Sequence, residues 1–296
     1  MRRGSLSDSR KKSALVVCGP TACGKSELSD TLAERLTGVL GEFVPALVVD
    51  SMQVYREIST ITNQARRRPA ELVGIVSVTE EWTVARHKER AEEIIEGSDT
   101  PFVLDAGTGM YLNAIVLDVP LAPKVQSDTR RKARELTAGA PNPRRASRAK
   151  ELDLAGALER GSIWDGDLRY DTTLVYLRPN RILLDAAISR RSEMIVRDGL
   201  EEAAELRALA RAGEGINASV EGSIGVRELV AYLDGETRTI EEARDHIATR
   251  TRRLARRQIR WFDKLVTTLR GRAGIQVVDR SSHITPLNSM HVRIEV

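Results

Sequence analysis

With 296 residues, 41% of them hydrophobic and 30% charged, the chain can bury a substantial core in one elaborated domain or two, which excludes a disordered chain. No run approaches the roughly 18 apolar residues of a membrane span, and the opening MRRGSLSDSRKKS is basic without an apolar stretch, which excludes a secretory signal. The two cysteines, Cys18 and Cys23, cannot build a zinc site or a disulfide framework and point to a reducing, cytoplasmic setting.

Taken in chain order, residues 1–12 read as a flexible leader and 13–18 (SALVVC) as a short buried strand, followed by a helix over 25–36. The runs PALVVD (45–50) and PFVLD (101–105) start at proline and stop at aspartate, as interior parallel strands do. Between them, residues 83–97 carry helical spacing of Val84, Ala91, Ile94 and Ile95 and end at a glycine. TTLVYLRP (172–179) is a further strand. Residues 123–168 change character: basic and helix-prone at first, then broken by AGAPNP and GSIWDGD, they read as a small insertion domain or lid. Beyond residue 180 the chain is mostly helical. Its last long helix starts at a capping box of Thr239 and Glu242, and Ile240, Ala243, Ile247, Leu254 and Ile259 supply its buried edge. Residues 271–296 form a tail with strand-like ends, and no internal repeat is present. The expected architecture is α/β: a P-loop parallel sheet flanked by helices, its core formed by 13–122 and 169–270, with a small, mainly helical insertion domain.

GPTACGKS (19–26) matches G-x-x-x-x-G-K-S with a strand before it and a helix after it. Backbone N–H groups of such a loop and the dipole of the helix it opens favour phosphate. Lys25 adds a point charge, and Ser26 stands where a Mg²⁺ ligand usually does. A kinase or NTPase would use Asp50 or Asp105 as the magnesium-side carboxylate. VVDSMQVYREIST, however, places Asp50, Ser51, Met52, Gln53 and Tyr55 after one strand, and DAGTGMYLNAIV places Thr108 between glycines after another. Both are carboxyl ends, where open α/β sheets gather ligands.

Charge is uneven. Seven arginines (244, 250, 252, 253, 256, 257, 260) stand against one acid between Arg244 and Arg260, and a second cluster holds Arg130, Arg131, Lys132, Arg134, Arg144, Arg145 and Arg148. Such stripes suit a phosphate-bearing partner, and equally a solvated helix face paired with glutamates.

In GPTACGKS, DSMQVYRE, AGTGMYL, SIGVRELVAYLDGE and TRRLARRQIRWF, in that order over about residues 14–263, the sequence resembles the tRNA dimethylallyltransferases, also called tRNA isopentenyltransferases. The resemblance implies that Gly19, Thr21, Ala22, Cys23, Gly24, Lys25 and Ser26 hold the diphosphate of dimethylallyl diphosphate as a leaving group, with Mg²⁺ at Ser26. The acceptor it implies is the N6 amine of an adenine in the tRNA anticodon loop. Asp50 matches the family's base, Thr108 its orienting hydroxyl, and Arg191 an arginine that neutralises the diphosphate, with Arg190 the neighbouring possibility. Contacts to tRNA would come from Asp50–Gln53 (Ser51, Met52 and Gln53 among them), Arg130, Arg144, Arg145, Arg148, Gly225 and Arg227. A monomer without membrane attachment is expected. Departures from the family pattern are STITNQ, which puts Gln64 at a lysine position, AELVGIVSV without histidine, Val226 for tyrosine and Ala106 for glycine. They bear on acceptor choice, so a free nucleotide such as AMP, or another small amine, is the alternative acceptor. A P-loop kinase or NTPase is a more distant alternative that leaves DSMQVY and TRRLARRQIRWF unexplained.

Overall fold

A computed structural model describes residues 11–121, 125–141, 143–156 and 162–280. The chain forms two compact units, one from the described residues before Leu117 together with those from Leu168 on, the other Leu117–Asp167.

In the first unit, β1 (Ser13–Cys18) leads through the glycine-rich loop into α1 (Lys25–Leu40). The helix runs one turn past its expected end at residue 36. Gly38 has open space around it and interrupts helix only weakly, whereas Gly41, left-handed at φ 73, terminates it by donating to Thr37 O. Then follow β2 (Ala46–Val49), the short β3 (Ala70–Glu71), α2 (Val84–Glu96), β4 (Phe102–Ala106) and α3 (Gly109–Val116). After the second unit come β5 (Asp171–Pro179), α6 (Arg181–Asp198), α7 (Leu200–Arg211), α8 (Ala218–Glu221), α9 (Val226–Leu233), α10 (Ile240–Leu269) and β6 (Gly274–Arg280).

The strands form one sheet in the order β3-β2-β4-β1-β5-β6, parallel throughout. Covered on both faces, β1, β2 and β4 are apolar without alternation, apart from Ser13 and Asp105. One face packs Leu15, Val17, Val103 and Val175 on Leu28, Leu32 and Leu36 of α1. A second core joins Tyr55, Ile58 and Ile61 to Ile195, Leu206, Val226, Leu229 and Ile247 of the later helices.

Three expectations need correction. Residues 274–280 are a core strand: β6 pairs with β5 from Thr173↔Gly274 to Pro179↔Arg280 and covers an edge that would otherwise stand open. The tail thus begins no earlier than residue 281, and 281–296 lie outside the described residues. The leader gives up its last two residues. Lys11 Nζ donates to Leu168 O at 2.6 Å, and Lys12 Nζ to Ile95 O and Ser98 O at 2.8 and 2.6 Å. Residues 1–10 lie outside the described residues. Finally, Thr239 accepts from Glu242 N as a cap should, but the Glu242 carboxylate takes the N–H of Arg238, so the box is displaced by one residue. The buried line of α10 runs through Ala243, Ile247, Ala248, Thr251, Ala255, Phe262, Leu265 and Leu269, with Leu254 and Ile259 only partly covered.

The second unit is helical as expected, with bounds 117–167 in place of 123–168. Its helices α4 (Ser127–Thr137) and α5 (Pro143–Leu154) pack on each other, and Asp118 N donates to Asp167 O where the chain enters and leaves.

Candidate active site

Because β1 lies between β4 and β5, its loop leaves the middle of the sheet at the carboxyl end, where the ends of β2 and β4 also open. Ala22 at φ 64 and Gly24 at φ 89 take left-handed conformations, which turn successive N–H groups of the loop into a concave nest. Ser26 and Lys25 open α1, adding the positive end of a helix.

Lys25 and Asp50 both approach Gly107. A Cβ at Gly107 would stand 2.8 Å from Asp50 Oδ2 and 3.6 Å from Lys25 Nζ, so only glycine leaves the two side chains room to approach. Asp50 Oδ1 accepts from Met52 N at 2.8 Å and Gln53 N at 3.3 Å, which fixes the carboxylate with Oδ2 toward Gly107. Thr108 Oγ1 accepts from Ser51 N at 3.2 Å, leaving its proton available to a third group. Asp50 and Thr108, 58 residues apart in numbering, are thus tied through one backbone amide beside the glycine-rich loop.

Arg191 takes the position next to the loop. Its Nη1 donates to Thr21 Oγ1 at 3.1 Å and Nη2 to Thr62 O at 3.2 Å, while Arg190 is exposed. Burial pulls the Arg191 guanidinium below its usual value and the Asp50 carboxylate pulls it back up, so the two charges sense each other. Arginine stays protonated regardless. Gln64, at the family's lysine position, donates to Tyr55 O at 2.8 Å and Thr62 Oγ1 at 2.9 Å, holding the turn whose carbonyl Arg191 uses.

Three residues escaped the sequence reading. Arg66, hidden in the run Arg66–Arg68 that looks like solvated surface, lies beneath the loop. Its Nη1 is 2.6 Å from Asp105 Oδ2 and its Nη2 2.6 Å from Asp30 Oδ1. The three side chains are 5%, 2% and 3% exposed. Burial lowers the guanidinium pKa, but Asp105 and Asp30 outweigh it and the net shift is upward. Asp105, weighed above as a magnesium-side acid, is therefore spent on Arg66. Gln258, inside TRRLARRQIRWF, joins the loop to Gly107: Thr21 N donates to its Oε1 at 2.8 Å, and its Nε2 donates to Gly107 O at 2.9 Å. Three residues on, Trp261 lies against Gly109, where a Cβ would come within 2.2 Å of the indole, and donates to Asn113 Oδ1 at 3.2 Å. Neither Gln258 nor Trp261 could be found from the motif alone, since both depend on where α10 crosses the sheet.

The expected RNA-contact residues fall in several places. Ser51, Met52 and Gln53 are half-buried beside Asp50. Gly225 is buried against Ile61 and Ile195 with its N–H given to Glu228, a packing position; Arg227 is exposed beside it. In the second unit Arg130 lines a hollow of about 260 Å³ with Arg131 and Arg134, and Arg148 pairs with Glu151 at 2.7 Å. The side chains of Arg144 and Arg145 lie outside the described residues. On α10, Arg244 pairs with Asp245, Arg250 with Glu228, and Arg252 with Asp185. Arg253, Arg256, Arg257 and Arg260, one stripe at i, i+3, i+4 and i+7, are exposed and have no side-chain partner among the described residues.

As for Mg²⁺, no group of three or more His, Cys, Asp or Glu able to hold a metal occurs among the described residues. A single hydroxyl, Ser26, at the cradle still fits a Mg²⁺ that takes its remaining ligands from substrate phosphate and water.

This geometry has known counterparts. A family model described as IPP transferase matches residues 53–265. A tRNA dimethylallyltransferase of Rubrobacter xylanophilus is 60% identical over 269 residues, 90% of this chain and 92% of its own length. The chain belongs to this family. The family is one of prenyltransferases, which separates it from the kinases that share the loop. Another member, from Rickettsia canadensis, is 28% identical over 290 residues and covers 86% of each chain. The solved full-length tRNA isopentenylpyrophosphate transferase of Bacillus halodurans superposes with a TM-score of 0.63 at 27% identity, over 91% of this chain and 90% of that one. A eukaryotic dimethylallyltransferase acting on tRNA shares the fold, with a TM-score of 0.68 at 23% identity over 90% and 74%. No helix among the described residues is long and apolar enough to cross a membrane.

Proposed function

We propose that this dimethylallyltransferase moves the dimethylallyl group of dimethylallyl diphosphate to the N6 amine of an adenine in the tRNA anticodon loop. The observation that carries the reading is the approach of both Lys25 and Asp50 to Gly107: an ammonium able to hold a diphosphate and a carboxylate border one small space. The nitrogen lone pair attacks the allylic carbon as its bond to the diphosphate oxygen breaks, and the bonding pair leaves with diphosphate. The N6 proton passes to Asp50 Oδ2, since an exocyclic amine conjugated with its ring is a weak nucleophile until that proton is shared. Thr108, anchored through Ser51, orients the reacting groups. Lys25, Arg191 and the loop amides stabilise charge as it builds on the leaving group. Mg²⁺ held at Ser26, when bound, would screen the same charge.

An adenine within a loop has to leave its stack to reach this space, as in base-modifying enzymes generally. For the rest of the RNA, the paired arginines of α10 brace the protein, while Arg253, Arg256, Arg257 and Arg260 are left for phosphates. Arg130 and Arg148 of the insertion, and separately Arg227, are further candidates for phosphate contacts.

The test is incubation with dimethylallyl diphosphate and either tRNA or AMP. Prenylated tRNA with release of diphosphate supports the reading, and transfer to AMP alone overturns the acceptor. Asp50→Asn should lower turnover by about 10²–10⁴-fold while the prenyl diphosphate still binds. Unchanged turnover removes Asp50 as the base.

A further inference from the structure

We propose that Gln258 is a positioning residue, its carboxamide setting the spacing between the loop that holds the leaving group and the turn that holds base and hydroxyl. The inference rests on the prenyl-transfer reading above. Among the described residues, no other side chain hydrogen-bonds both Thr21 and Gly107. Thr21 N donates to Oε1 at 2.8 Å, and Nε2 donates to Gly107 O at 2.9 Å, linking α10 to points 237 and 151 residues away. An acceptor and a donor at fixed separation are a property of carboxamides; a carboxylate offers no donor and an ammonium no acceptor.

Each end of this strut is itself held. Thr21 donates its amide N–H to Gln258 and its hydroxyl oxygen accepts from Arg191, so the residue before the nest is held at two points. Gly107 donates its N–H to Val49 O at 3.2 Å and its carbonyl accepts from Gln258, which pins the glycine that Lys25 and Asp50 both approach. The helix carrying Gln258 is fixed on the same face by buried Thr251, Ala255 and Phe262 and by Trp261 against Gly109. The allylic carbon must sit between what Thr21 positions and what Gly107 positions. Because a misplacement of about 1 Å costs on the order of 10²-fold in rate, a strut of two hydrogen bonds is large enough to matter.

The experiment compares wild type with Gln258→Met, which keeps length and volume and loses both hydrogen bonds, and Gln258→Glu. Single-turnover prenyl transfer to tRNA is measured alongside the affinities for tRNA and for a non-reactive prenyl diphosphate analogue, and melting temperature. The expected result for the methionine variant is a transfer rate lower by about 10–100-fold, with affinities and melting temperature near wild type. The glutamate variant should gain on wild type as pH falls, since the protonated acid regains a donor for Gly107 O; bulk structural support predicts no such profile. A wild-type rate in Gln258→Met, or a loss that follows melting temperature and both affinities together, overturns the proposal. Amide exchange at Thr21 in the substrate-free protein decides the strut separately from activity. Faster exchange in Gln258→Met supports it, and unchanged exchange overturns it. If wild type transfers no prenyl group, the functional reading fails while that exchange result still stands.

Discussion

Arg66 and Arg191 lie beneath and beside the phosphate loop with their guanidinium groups on protein acceptors. Arg253, Arg256, Arg257 and Arg260 run along the outer face of α10 in solvent. The residue type is the same and the physics is opposite. A buried cation needs charged or carbonyl partners within the chain, and removing one side of such a pair leaves the other stranded in a poor dielectric. An exposed cation gains little from a protein partner and exchanges water for an incoming phosphate at small cost. The inner arginines therefore shape the site, and the outer ones remain available to something that is not protein.

That contrast can be broken most directly at Arg66. Arg66→Met should destabilise the fold by about 3–5 kcal/mol, because Asp30 and Asp105 would keep buried charge without a counterion. Adding Asp30→Asn and Asp105→Asn should recover much of it in urea melts. A single variant as stable as wild type would mean the triad is not closed. Arg191 is expected to act on rate: Arg191→Met should reduce turnover by about 10²–10³-fold, read in single-turnover assays, with tRNA affinity unchanged.

His87 extends the comparison from arginine to histidine. It is fully buried, accepts from Trp82 Nε1 at 3.0 Å, and burial lowers its pKa from 6.5 to about 4. The folded state thus keeps it neutral where the unfolded chain takes a proton. Its stabilising contribution is whole above pH 6.5 and lost progressively down to about pH 4, a change of about 3 kcal/mol. Denaturant melts between pH 7 and 4 check this, and His87→Gln should flatten that part of the curve. The outer stripe carries the smallest effect on the protein alone. Changing Arg253, Arg256, Arg257 and Arg260 together to Gln should leave the melting temperature unmoved, yet reduce the slope of log affinity for tRNA against log salt by about 3. An unchanged slope would move the RNA to another surface.

Much of the chemistry was legible before any fold. The strand, the glycine-rich loop and the helix after it are adjacent in sequence, so one local pattern specifies the cradle. Asp50 and Thr108 were legible because each follows an apolar strand that had to end at the same edge of a parallel sheet. Arg191 was preferred to Arg190 only through the family resemblance, and the fold turns Arg191 to Thr21 because one helical step decides which side chain faces the loop. β6 was read as the strand-like start of a tail, not as a core strand, because GIQVVDR, short and mixed, finds its place only beside an open edge of β5. The packing of Gly225 was missed for a similar reason: its neighbours Ile61 and Ile195 come from elsewhere in the chain.

What the amino-acid order alone determined is the class of fold, the phosphate nest and the residues able to accept or carry charge. Those depend on local backbone geometry and on the alternation of strands with helices, both of which are written over a few tens of residues. Tertiary structure alone decided that Arg66 neutralises Asp105, that Gln258 reaches both Thr21 and Gly107, and that four arginines of α10 are left in solvent. Each of these depends on partners separated by long stretches of chain, and a side chain's role follows from which acceptor or donor the packed fold brings within about 3 Å of it.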